Sequence, residues 1–94
     1  MPENPRKEAF KAFIMEELRN APHPRDGVTK KELVAAVKRE HPELTDDSEA
    51  CYPGCQSAHP KWRHEFDRCI YDLGAATPPL IRHGSGRGTY ILGR

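Results

Sequence analysis

At 94 residues, 36% hydrophobic and 31% charged, the chain is too apolar to be disordered and too polar to be a membrane protein, which predicts one small soluble domain with a simple core. The opening Met-Pro-Glu-Asn-Pro lacks the basic and apolar regions of a secretory leader, and three cysteines are too few and odd in number for a secreted disulfide framework, so a cytoplasmic protein with no membrane contact is expected. A formal charge of +1 gives no vote for a polyanionic partner, but its distribution does: residues 1–59 hold 9 Lys/Arg against 11 Asp/Glu, and residues 60–94 hold 6 against 3.

Phe10, Phe13, Ile14 and Leu18 fall at helical spacing within residues 6–20 and predict an amphipathic first helix, ended by Ala21-Pro-His-Pro. Thr29 and Glu32 form a capping box, with Val28 ahead of it placed to staple onto Leu33 and to lie in a brief strand. Together they predict a second helix over residues 30–41, stopped by Pro42. Residues 42–59 lack periodicity and form an unusually long connection for so small a domain. A third helix is expected over residues 60–73, opened by Pro60 and capped by Gly74. Trp62, Phe66, Cys69, Ile70 and Leu73 face inward; Lys61, Arg63, His64, Asp67 and Arg68 lie on other faces. Residues 80–92 read as a hairpin, two apolar strands joined by a glycine-rich turn at 83–88.

Helix, brief strand, helix, helix and hairpin is the element order of a winged helix-turn-helix, an α+β fold of three helices with a two- to three-stranded β-wing. In that fold the third helix is the recognition helix, narrow enough for the major groove. The candidate DNA contacts are therefore Lys61, Arg63, His64 and Arg68 on the helix, and Arg82, His83, Ser85, Arg87 and the glycine amides on the wing. Trp62 belongs to the core by its spacing to Phe66 and Ile70, and Tyr71 and Tyr90 are read as packing residues rather than base platforms. With a net charge near zero, micromolar, salt-sensitive binding by a monomer is expected.

The run KWRHEFDRCIYDLG at 61–74, followed by LIRHGSGRGTYIL at 80–92, resembles the winged-helix DNA-binding module of modification-dependent restriction enzymes, the Mrr-like or type IV class. The resemblance covers residues 61–92, and only the helix pattern supports residues 1–40. Residues 75–79 and the cysteine-bearing loop depart from it. It implies a non-catalytic head that reads double-stranded DNA, methylated or otherwise modified, joined to a nuclease domain of the parent protein; a sequence ending at Arg94, just after the wing, fits a domain cut from a longer chain.

Cys51, Cys55 and His59, with His41, His64 or Cys69 as a fourth ligand, have the residue types that zinc needs, although their spacing is not a standard one. The alternatives are free thiols and a disulfide; no cofactor is assigned, and the three residues stand as metal candidates only. Asp46, Asp47 and Glu49 are read as a solvated acidic loop. Neither the His-Asn-His pattern nor the Asp…Glu-x-Lys pattern of nucleases is present, which argues against an enzyme. Two other functional readings stay open: a winged helix that docks onto a protein, recognisable by an exposed apolar patch, and a zinc- or thiol-dependent regulatory module.

Overall fold

The computed structural model describes residues 5–22, 25–55 and 59–93. It is an α+β arrangement in the order α1 (Pro5–Arg19), β1 (Val28–Thr29), α2 (Lys30–Glu40), a 3-10 turn (Pro42–Leu44), α3 (Lys61–Ala75), β2 (Ile81–His83) and β3 (Thr89–Leu92). Among these residues no helix is long and apolar enough to cross a membrane. His23 and Pro24, part of the run predicted to end the first helix, lie outside the described residues.

The core joins the predicted apolar stripes of α1 and α3 to the inner face of α2. Phe10, Phe13, Ile14 and Leu18 of α1 meet Leu33, Ala36 and Val37 of α2 and Trp62, Phe66, Cys69, Ile70 and Leu73 of α3, and Ile81 closes the cluster from β2. Phe10 is the common neighbour: its ring stands edge-on to Phe66 at 5.2 Å and tilted to Trp62 at 6.4 Å between centroids, geometries that aromatic quadrupoles favour.

The predicted capping box is present. Glu32 N–H donates to Thr29 Oγ1 at 3.1 Å, and Thr29 N–H donates to Glu32 Oε1 at 2.9 Å, so two amide donors at the helix start are satisfied reciprocally. Gly74, expected to cap the third helix, instead lies inside it; α3 runs through it to Ala75.

Thr29 also serves the sheet, whose order is β1-β3-β2 with both pairings antiparallel. β3 is central: Thr89 and Tyr90 pair with Thr29 and Val28, while Tyr90, Ile91 and Leu92 pair with His83, Arg82 and Ile81. Gly27, at φ 86°, turns the chain into β1 so close to β3 that a Cβ there would lie 2.7 Å from the Tyr90 carbonyl oxygen. Only glycine fits both the backbone conformation and the approach.

Among its described residues the segment 42–59 holds the 3-10 turn and, at its end, one isolated bridge between Ala50 and Pro60. Its acidic residues are paired rather than merely solvated. Asp47 accepts from Lys38 Nζ and, at 2.8 Å, from Trp62 Nε1, while Glu49 takes Arg6 at 2.9 Å. The loop is thereby tied to all three helices by polar contacts, with little apolar burial of its own.

Two outcomes follow for stability, both measurable by urea denaturation. Phe66→Ala, at a fully buried ring, should cost about 3–5 kcal/mol, and Thr29→Ala about 1 kcal/mol. Hydrogen bonds from the Thr29 amide and hydroxyl hold the Glu32 carboxyl below its usual range. That contribution is therefore present above the unfolded-state pKa of Glu32 and lost as pH falls through the folded one, so the Thr29→Ala deficit should shrink on acidification.

Candidate nucleic-acid interface

The inward stripe of α3 fixes what its other side presents. Trp62, Phe66, Cys69, Ile70 and Leu73 point at the core, which leaves Arg63, Asp67, Arg68 and Tyr71 outside. Glu65 is the exception: it lies within the apolar stripe and is only 2% exposed. Its charge is met from two elements, Arg6 Nε of α1 at 2.5 Å and the Tyr52 hydroxyl, which donates to Glu65 Oε2 at 2.6 Å. Burial pushes this carboxyl up, but the Tyr52 hydroxyl and Arg6 outweigh it and hold it below the usual carboxylate range. The same bond, with burial, raises the Tyr52 phenol to about 12. Glu65 thus ties the start of α1 and the cysteine-bearing loop to the first turns of α3.

The predicted contact residues of α3 do not form a row of bare cations. Arg63 pairs with Asp67 at 3.3 Å and Arg68 with Asp72 at 3.3 Å, Lys61 lies 3.7 Å from Glu49 and 4.9 Å above the Tyr52 ring, and Asp67 also meets Lys30 of α2 at 3.8 Å. Tyr71, expected to pack, is 64% exposed, with the Arg68 guanidinium 5.3 Å from its ring centre. Its place five residues after Phe66 puts it across the helix from the stripe, a signal the sequence carried. Tyr90 is partly buried against the core, and His83 stacks on it at 5.1 Å.

Arg82 and Arg87 on the hairpin are exposed and, among the described residues, make no ion pair. Ser85 and the glycine amides before Arg87, by contrast, are engaged within the fold. Gly84 N–H donates to Thr89 O, Ser85 N–H to Arg25 O and Gly86 N–H to Asp26 O at 3.1–3.3 Å, and the Ser85 hydroxyl lies on Arg25 O and Asp26 Oδ1. A Cβ at Gly84 would stand 2.7 Å from Asp26 O. These glycines serve a close approach between two backbone segments; the amides of residues 84–86 are not available to an anion as expected, because carbonyls already occupy them.

The outer face of α3 and the hairpin share a cleft of about 510 Å³, walled by Tyr71 and Gly74 on one side and Arg82, His83 and Tyr90 on the other, with Lys30 and Asp67 at its end. Lys30 is a member of this surface that the sequence reading did not single out, and Tyr71, which it read as a packing residue, is another.

His64 lies on the outer side of α3 beside Asp67, Arg68 and Tyr71 and reaches toward the loop. Its Nδ1 lies 3.7 Å from Cys55 Sγ, and His59 Nε2 lies 3.5 Å from the same sulfur. With Cys51 they make a group of four half-buried residues whose ligand atoms all lie within 4.8 Å of one another. The other two residues considered as a fourth ligand are elsewhere. His41 stands edge-on to Phe13 and beside Glu43, and Cys69 is buried with its thiol on Lys7 O and pushed up to about 11 by burial.

No family model, curated protein or solved structure matches this chain.

With Glu65 only 2% exposed, Arg6→Met should cost about 2–3 kcal/mol in urea denaturation, a charged hydrogen-bonded partner lost to a buried carboxylate. The exposed pair Arg68–Asp72 should cost under about 1 kcal/mol when broken by Arg68→Ala.

Proposed function

We propose that this chain is a winged helix-turn-helix that binds double-stranded DNA and catalyses no reaction itself, α3 entering the major groove and the β2–β3 hairpin lying on the adjacent backbone or minor groove. The observation that carries this reading is the shared cleft. It is bordered by the outer face of a helix, which has the width of the major groove, and by a hairpin bearing Arg82, with Arg87 exposed at its end and both arginines without an acidic partner among the described residues.

The paired cations of α3 fit the reading too. Surface ion pairs are worth about 0–1 kcal/mol, so Arg63, Arg68 and Lys61 exchange their carboxylates for phosphates at small cost. The acids nonetheless remain beside the bound strand and weaken attraction, which fits micromolar affinity and readout that is modest in sequence specificity. The resemblance of residues 61–92 to the heads of modification-dependent restriction enzymes supports placing this module beside a nuclease domain in a parent protein, with methylated or otherwise modified DNA as the target. A protein-docking role is the second reading, favoured by a second groove whose apolar wall is Met15 and Leu18 of α1 with Leu80, Ile91 and Leu92, rimmed by Arg19, Arg25 and Arg82.

Fluorescence anisotropy with labelled duplexes, unmodified and cytosine- or adenine-methylated, over a salt series tests the proposal. Binding is expected to weaken with salt, and Arg82→Ala/Arg87→Ala should lower the slope of log K against log salt by about 2, each arginine neutralising one phosphate. Arg39→Ala on α2, beside Glu40, should leave the slope unchanged. A preference for a methylated duplex supports the modified-DNA target, and equal binding removes that part alone. Absence of binding to every duplex at low salt would sink the DNA reading and put protein docking first.

A further inference from the structure

We propose that Cys51, Cys55, His59 and His64 form a structural zinc site that fastens the turn at 51–55 to the start of α3. The assignment rests on local geometry and is independent of what the domain binds.

Each ligand is delivered by a feature of the chain. Between the two cysteines, Tyr52-Pro53-Gly54-Cys55 is a tight turn closed by Cys55 N–H donating to Tyr52 O at 3.1 Å, with Gly54 at φ 86°. Proline then glycine at its centre is the sequence of a type II turn. It folds the chain back so that Cys51 and Cys55 stand side by side, and no disulfide joins them. His59 immediately precedes Pro60, the residue from which α3 starts, and His64 is the fourth residue of the helix. Two ligands thus come from the turn and two from the start of a helix that the core already holds rigid.

The two separations at Cys55 are those of a tetrahedral ion. Zinc bonds of about 2.3 Å to sulfur and 2.0–2.1 Å to nitrogen place neighbouring ligand atoms about 3.3–3.8 Å apart. Cys55 Sγ lies 3.5 Å from His59 Nε2 and 3.7 Å from His64 Nδ1, and no pair in the group exceeds 4.8 Å. Two sulfurs and two imidazole nitrogens in tetrahedral array select zinc among the common divalent ions. All four positions are filled by protein, which leaves none for water and makes the site structural rather than catalytic. Loading is balanced: Zn2+ enters, Cys51 and Cys55 each lose a proton, both histidines bind as neutral imidazoles, and the net charge is unchanged.

The loop supplies the need for such a clamp. Among the described residues of 42–59, only Thr45 is buried, so hydrophobic burial contributes little to its order. His64 is accordingly a ligand on the edge of α3 rather than a DNA contact.

The test uses the full chain purified under reducing conditions, assayed for metal by mass spectrometry, stripped with chelator, and titrated with Zn2+ and Co2+. One zinc per chain is expected, with two protons released on loading. Cobalt should give the intense visible bands of tetrahedral coordination together with thiolate-to-cobalt charge transfer. Outer-shell changes alone cost metal sites about 10- to 100-fold in affinity, so Cys51→Ser and His64→Ala should each lose more than about 100-fold, whereas Cys69→Ala should bind as the parent does. The cobalt spectrum of the unaltered chain decides the matter even if a ligand variant does not fold. Weak octahedral bands, failure to take up stoichiometric zinc, or undiminished affinity in a folded Cys51→Ser protein would each overturn the assignment.

Discussion

The packing of Phe10 between Trp62 and Phe66 is the contact on which the rest of the molecule depends. It sets α3 against α1, and once those rings are seated a helix with 100° between residues has no freedom left in which side faces out. Arg68 and Tyr71 are exposed, and Arg63 and Asp67 half-exposed, because Trp62, Phe66, Ile70 and Leu73 are not. The hairpin is positioned by the same cluster, since Ile81 of β2 closes the core and Leu80 N–H, just ahead of it, donates to Leu73 O at 2.9 Å. A cleft between the outer helix face and the hairpin is the geometrical remainder of that packing.

Polar contacts then add what apolar burial does not reach. Glu65 is an acid on an apolar stripe, made tolerable by Arg6 and Tyr52, which arrive from two other parts of the chain. Asp47 and Glu49 similarly hold the loop to α2, α3 and Arg6. Asp47, Glu49 and Glu65 secure the long connection and Asp67 and Asp72 screen cations of α3, which is why a chain with a basic C-terminal third presents its barest positive charge on the hairpin instead of on the helix.

What the sequence made legible was whatever has a local period or a local bond. The stripes of α1 and α3, the Thr29–Glu32 box and the brief strand at Val28 each follow from residues within one or two turns of one another, and each is found in the structure. Gly74 was misread because a glycine near the end of a periodic run has the same local signature whether it caps the helix or is carried through it. The spending of the hairpin amides on Arg25 and Asp26, and the seating of His64 beside Cys55, depend on contacts between segments up to 60 residues apart, which no local pattern encodes. Tyr71 and Glu65 were decipherable from the helical wheel: one lies off the stripe and the other on it, against their usual preferences.

The tethering of the hairpin tip has a thermodynamic meaning. Glycine-rich turns are usually counted as floppy, and fixing a backbone residue costs about 1–2 kcal/mol in lost conformational entropy. Here Gly84, Ser85 and Gly86 are already laid against Arg25 and Asp26, so that ordering cost is met during folding. A partner engaging Arg87 meets a surface that has little disorder left to lose, and its association retains free energy that a mobile tip would have spent on freezing itself.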